Sequence, residues 1–214
     1  MGKLRFTISM SLDGYVAGPN QSLENPLGEG GEDLHGWVLA LRSWREPHGM
    51  EGGETGPNDD VMAELVENIG ATVMGRNMFG GGEGPCGDDP WNGWWGDDPP
   101  FHTPVFVLTH HAREPLEMQG GTTFHFVTEG IEAALEQAKA AAGGKDVALG
   151  GGADVAQQYL RAGLIDEMEI HVVPRLLGGG ARLFDNTGGR YAGLEPIRVV
   201  SSPTVSHYKF RLST

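Results

Sequence analysis

Residues Asp146–Leu160 read DVALGGGADVAQQYL. Val147, Ala148 and Leu149 form a short apolar run suited to a buried strand, and after three glycines Val155, Tyr159 and Leu160 recur at helical spacing. The stretch predicts a strand, a turn without side chains and the start of a helix. Gly150, Gly151 and Gly152 remove every Cβ where the chain bends, which lets a ligand approach the N–H groups that open a helix. Those donors, with the positive end of the helix dipole, favour a phosphate or pyrophosphate. The spacing is neither GxGxxG nor GxxxxGK followed by Ser or Thr. A tight strand-to-helix turn that holds nothing also uses glycine, so two readings stand at this point.

The same pattern recurs upstream. Ala71–Met74 is a short apolar run that opens into Gly75, Arg76 and Asn77. Arg76 suits a phosphate, or a surface salt bridge. Val105–Leu108 opens into Thr109, His110, His111, Ala112 and Arg113; adjacent histidines point apart in an extended chain, so no metal site is expected there. They are phosphate donors or ordinary loop residues. Lys3–Ser9 alternates as a half-buried strand does and runs into an irregular loop through Asn20. Asp13 in that loop is a turn residue or a polar group beside a ligand.

Leu34, Trp37, Val38, Leu41 and Trp44 predict an amphipathic helix over Asp33–Trp44, with Asp33 as an N-cap or as a proton donor facing a pocket. A second helix is expected over Asn58–Asn68, capped by Asn58 or Asp59, and Gly130–Ala142 reads as a third. Thr123–Val127 and Ile165–Pro174 read as strands, and the runs Ile197–Ser201 and Ser206–Leu212 as a closing antiparallel pair. Long glycine-rich loops occupy about 19–57 and 80–103; Trp91, Trp94 and Trp95 in the second suggest a lid edge or a dimer contact.

Composition narrows the class. A chain of 214 residues suits one α/β domain, spanning 1–214. The single cysteine, Cys86, excludes an intrachain disulfide and points to a reducing compartment. With no apolar signal core or membrane-length run, a soluble, cytoplasmic protein is expected. Net charge is −14 with scattered basic residues, which argues against nucleic acid or anionic membrane as partner.

The ordered set SMSLDGYVAG, VMGRNMF, VFVLTHHARE, DVALGGGADVAQQYL and IDEMEIHVVPRLLGGGARLFD resembles the dihydrofolate-reductase-like superfamily. It is most similar to the branch that contains the reductase domain of riboflavin biosynthesis. The resemblance implies an α/β fold: a central, mostly parallel sheet with a C-terminal antiparallel hairpin and helices on both faces. It implies NADPH as cofactor, a small-molecule substrate and a homodimer. Gly75, Arg76 and Asn77 match the turn at the adenosine and phosphate half; Leu108, Thr109, His110 and His111 match the loop at the 2′-phosphate. Leu149, Gly150, Gly151, Gly152, Ala153, Asp154 and Val155 match the pyrophosphate turn, and Ser9, Val16 and Ala17 the nicotinamide site. On the substrate side Asp33, Asp13 and His171 are the candidate catalytic residues, with Asp33 or Asp13 as a carboxylic acid kept protonated by partial burial. The expected activity is hydride transfer to a small heterocyclic or carbonyl acceptor of pterin or pyrimidine type. The alternatives are 5-amino-6-(5-phosphoribosylamino)uracil reduction, a non-catalytic nucleotide- or pterin-binding protein, and an interaction module built on the tryptophan loop.

Overall fold

The structure is a computed structural model that describes residues 2–80, 91–188 and 193–213. Cys86 and part of the second glycine-rich loop lie outside the described residues.

Nine strands form the main sheet among these residues. In chain order they are β1 (Leu4–Ser11), β3 (Ile69–Gly75), β4 (Pro104–Leu108), β5 (Leu116–Glu117), β6 (Thr123–Val127), β7 (Asp146–Leu149), β8 (Glu167–Val173), β10 (Gly193–Ser201) and β11 (Ser206–Ser213). Two further short strands, β2 (Tyr15–Ala17) and β9 (Ala181–Arg182), pair with each other. Across the main sheet the order is β10-β11-β8-β1-β7-β3-β4-β6-β5. The six strands from β8 to β6 run parallel, and the β10–β11 hairpin joins β8 antiparallel. This is the expected mostly parallel sheet with its C-terminal hairpin.

Alternation along β1 sorts the two faces. Leu4 and Phe6 are buried with Met168 and Ile170 of β8, Ala71 and Val73 of β3, and Val147 and Leu149 of β7. Helices α5 (Ile131–Ala141) and α6 (Ala153–Ala162) cover that face with Ile131, Ala134, Leu135, Ala138, Val155, Ala156 and Tyr159. Tyr159 is wholly buried, and its hydroxyl donates to the carbonyl of Ile131 at 2.7 Å, tying the two helices. Tyr159→Phe should therefore cost about 1 kcal/mol, since it removes a buried hydrogen bond; urea unfolding of the pair of proteins checks this.

The opposite face is divided. Under β3, β4 and β6 it is aromatic: Met74, Phe79, Val105, Val107 and Phe124 form a cluster joined by Trp91, Trp95 and Phe101. Trp95 stacks on Phe124, and the Trp91 indole N–H donates to the Phe79 carbonyl at 2.8 Å. Trp91 and Trp95 are thus half-buried packing residues on this face. Under β1, β8 and β11 the same face is charged. Helix α3 (Pro57–Val66) lies there, and Glu64 receives both Arg198 and Lys209. Glu169 takes the other arm of Arg198 at 2.9 Å, and Glu167 binds Lys3 at 2.6 Å.

Two local expectations are corrected. The segment Asp33–Trp44 is no continuous helix: a 3-10 turn (Gly31–Leu34) is followed by α1 (Gly36–Leu39) and α2 (Arg42–Arg45). Leu41 is extended because Glu54 captures the neighbouring backbone, donating its N–H to Ala40 and accepting from Arg42. Leu34, Trp37 and Leu41 still point inward together. Helix α3 is capped by Gly56 with Pro57 next, and neither Asn58 nor Asp59 bonds its opening turn. Asp59 accepts the Ser43 N–H instead, at 2.7 Å.

Candidate active site

Parallel strands leave their carboxyl ends on one edge, where loops and helix starts face a common crevice. Here β8, β1, β7, β3 and β4 are consecutive neighbours. At or just past their carboxyl ends stand His171, Ser9, Gly150–Val155, Gly75–Asn77 and Leu108–His111. Register confirms that these ends are level, with Ser9 opposite His171, and Gly75 opposite Leu108.

At the centre the backbones interlock. Gly150 donates to the Val73 carbonyl at 2.8 Å, and Gly75 donates to the Gly151 carbonyl at 2.9 Å. A Cβ on Gly75 would lie 2.7 Å from the Val155 methyl group, so only glycine lets β3 pass the start of α6. Gly151 has φ of +103° and its peptide bond to Gly152 is cis. Gly152 is the N-cap of α6, and no side chain caps that helix. A Cβ built on Gly152 meets no atom within 4 Å. The opening N–H groups of α6 therefore lie behind a bare, open backbone, which suits a pyrophosphate.

On one side of this turn, Arg76 and Asn77 begin the single-turn helix α4 (Arg76–Phe79), and the Arg76 guanidinium sits 5.7 Å above the Phe79 ring. Beyond it, Leu108 ends β4, Thr109 is buried, and its hydroxyl accepts the His111 N–H at 3.1 Å. His110 is exposed and His111 half-buried. The neighbouring Arg113 is committed elsewhere, to the Trp91 carbonyl and to Asn92.

On the other side lie the substrate-end residues. Ser9, Val16 and Ala17 are buried, and the Trp37 indole donates to the Ser9 hydroxyl at 3.2 Å. The Trp37 ring packs 5.0 Å from His171 and 5.0 Å from His207. His171 is itself buried and bonded at both nitrogens: Nδ1 to His207 Nδ1 at 2.8 Å and Nε2 to Thr7 Oγ1 at 2.9 Å. Asn58 closes the series. Its Nδ2 donates to Ser202 and Thr204, leaving Oδ1 to accept from His207 Nε2. The rest follows from valence: His207 Nδ1 accepts, His171 Nδ1 donates, and the Thr7 hydroxyl donates to His171 Nε2. Burial pushes His171 down to about 3 and His207 down to about 4, so both rings are neutral at pH 7.

The two candidate acids sit in settings that differ from the expectation. Asp13 accepts the Ser11 hydroxyl at 2.6 Å and the N–H groups of Leu177 and Gly178. The Ser11 hydroxyl, ahead of these backbone donors, draws its carboxyl down to about 2. It is a carboxylate that ties loop 12–18 to loop 175–180, with no proton to give at neutrality. Asp33 is exposed and lies 3.7 Å from the Arg175 guanidinium. It lacks the partial burial on which its expected role depended.

Trp37, His207 and Asn58 were not singled out by their chemistry. His207 alternates in phase with Lys209 on β11 and pairs with His171 across the sheet, a partnership visible only once the hairpin is docked.

A family model described as the RibD C-terminal domain matches residues 2–206. The chain belongs to the RibD C-terminal domain family. Membership makes it an oxidoreductase, a reductase of the pyrimidine type. Among solved structures it is similar to a putative riboflavin biosynthesis protein from Shewanella, at 23% identity over 99% of both chains with a TM-score of 0.61. It is also similar to Enterococcus faecalis dihydrofolate reductase complexed with NADP(H), at 13% identity over 100% of this chain and 98% of that one, TM-score 0.56. The riboflavin biosynthesis reductase Rib7 of Saccharomyces shares 14% identity over 100% and 89%, TM-score 0.52. At these identities the structures show the dihydrofolate-reductase-like fold that the RibD family shares. No curated protein sequence matches the chain.

Proposed function

We propose that the protein binds NADPH along the carboxyl edge of its sheet and reduces a C=N or C=O bond of a small heterocyclic acceptor. The observation that carries this reading is the adjacency of the ends of β1, β7, β3 and β4. One extended dinucleotide spans that row. The α6 opening and Leu149–Val155 hold the pyrophosphate; Gly75, Arg76 and Asn77, with Leu108–His111, hold the adenosine and 2′-phosphate. Ser9, Val16 and Ala17 flank the nicotinamide, whose chemistry is the delivery of hydride. The chain supplies alignment and exclusion of water. His171 acts beneath the substrate end as a positioning residue, through Thr7 and Trp37.

The acceptor is of pyrimidine or pterin type, and 5-amino-6-(5-phosphoribosylamino)uracil, with its reduced product, is the first to assay, because the family match favours it. The whole chain works as one domain and pairs as a homodimer in the cytoplasm; exposed Leu194, Ile197 and Val199 on β10 offer an apolar face for the second copy. Titration with NADPH, followed by tryptophan fluorescence, and then NADPH oxidation with that acceptor, test the reading. No binding at cofactor concentrations up to the millimolar range would overturn it. Arg76→Ala should weaken NADPH about tenfold more than NADH. Equal losses for the two would show that Arg76 does not read the 2′-phosphate.

A further inference from the structure

With Asp13 tied down and Asp33 exposed, the reduction lacks a source for the proton that must follow the hydride. We propose that His35 hands this proton to the heteroatom of the acceptor, an inference that rests on the reading above. His35 sits between the 3-10 turn Gly31–Leu34 and helix α1, flanked by the buried Leu34 and Trp37. Both neighbours fix its place. A Cβ on Gly31, at the start of that turn, would lie 3.3 Å from the Gly18 nitrogen and 3.8 Å from the Ala17 Cα, beside the proposed nicotinamide site. Trp37 binds Ser9. The segment thus bridges the ends of β1 and β2, where an acceptor must stand.

The ring of His35 is half-buried, and among the described residues no atom hydrogen-bonds to it. Its nitrogens are available to a ligand and to water. Burial holds it below its ordinary value of 6.5, and a charge on it would oppose a charge on His171. The surrounding titratable and charged groups are otherwise occupied. Asp33 and Arg175 pair with one another, His171 on β8 and His207 on β11 have both nitrogens bonded, and Arg198 on β10 is held by Glu64 and Glu169. Asp13 accepts three hydrogen bonds.

In the reaction, the acceptor carbon gains hydride with its two electrons from the reduced nicotinamide, and the C=N or C=O π pair moves onto nitrogen or oxygen. That atom takes the proton of the His35 imidazolium. The neutral imidazole left behind regains a proton from solvent, so the sum is NADPH, one proton and the double bond giving NADP⁺ and the CH–NH or CH–OH product. A side chain in this role contributes roughly 10²–10⁴-fold.

The test uses the full chain with NADPH and the acceptor that it oxidises NADPH with. Wild-type kcat should fall as pH rises through an apparent pKa below the ordinary imidazole value of 6.5. His35→Gln and His35→Asn should each lower kcat about 100-fold and lose that pH limb, with NADPH affinity within about twofold of wild type. Imidazole ¹⁵N resonances should show His35 titrating below its ordinary value, while His171 and His207 stay neutral where His35 takes up its proton. A wild-type profile without the limb overturns the proposal even if neither variant folds, as do variants that keep both kcat and the limb. A wild type that binds no NADPH would instead fell the functional reading beneath it.

Discussion

Gly152→Asp is expected to leave thermal stability unchanged or slightly raised while weakening NADPH binding about 100-fold, a loss near 2.7 kcal/mol. Gly152 is the N-cap of α6 with φ of −80°, a backbone that any residue adopts, and its missing side chain would meet open space. Aspartate is among the best N-caps, because its carboxylate accepts the N–H groups of the first turn. Those same N–H groups are the ones assigned to the pyrophosphate. The new carboxylate would fill the anion position from within the chain and repel what remained of the ligand. Fluorescence titration and a melting curve on one preparation separate the two effects. Undiminished affinity in a well-folded variant would show that the dinucleotide does not lie on the α6 turn.

Acid should unfold the protein earlier than its carboxylates alone require. His171 and His207 have folded values of about 3 and about 4, against 6.5 for the free side chain. Between those limits the unfolded chain binds more protons than the folded one, so stability rises with pH across the window and is fully present only above about 6.5. Falling pH removes it. By pH 4 the loss is on the order of 3 kcal/mol or more, from the buried pair together. Urea unfolding at pH 7.5, 6, 5 and 4 should show a steady decline that starts near 6.5. His207→Asn should flatten that decline, because one of the two buried imidazoles is gone. A wild-type profile level down to pH 5 would mean that the rings are already solvated or charged in the fold.

Much of this architecture was readable from residue order. Alternation in Lys3–Ser9 and the apolar runs before Gly75, Thr109 and Gly150 marked the parallel strands, because a strand buried on one or both faces leaves a period that survives without coordinates. The glycine turn before α6 was legible because three residues without a Cβ between an apolar run and a helical period mark a strand-to-helix bend. The substrate end was hidden. The extended Leu41 breaks the first helix through contacts with Glu54, thirteen residues on, and no local propensity encodes that. Asp13 could be read as a turn residue or as a ligand group until Ser11, Leu177 and Gly178 were seen to surround it. The tryptophans, set among glycines and aspartates, suggest an exposed patch; Trp91 and Trp95 also pack on the Phe79 and Phe124 cluster, an apolar surface that their local sequence does not reveal.

The pairing of His171 with His207 also bears on when the site can come into being. β1 has β8 as its neighbour, and β8 in turn has β11. Ser9 acquires its setting from Trp37, and Trp37 rests against an imidazole near the C-terminal end of the described chain. During synthesis, the strand that emerges first must wait for residues 193–213 before its chemistry has a floor, and contacts so distant in sequence are slow to form. A nascent chain halted before the hairpin would hold the glycine turn without the histidine bed: half a cleft, exposing Glu64 and Glu169 without the cations of Arg198 and Lys209 that balance them.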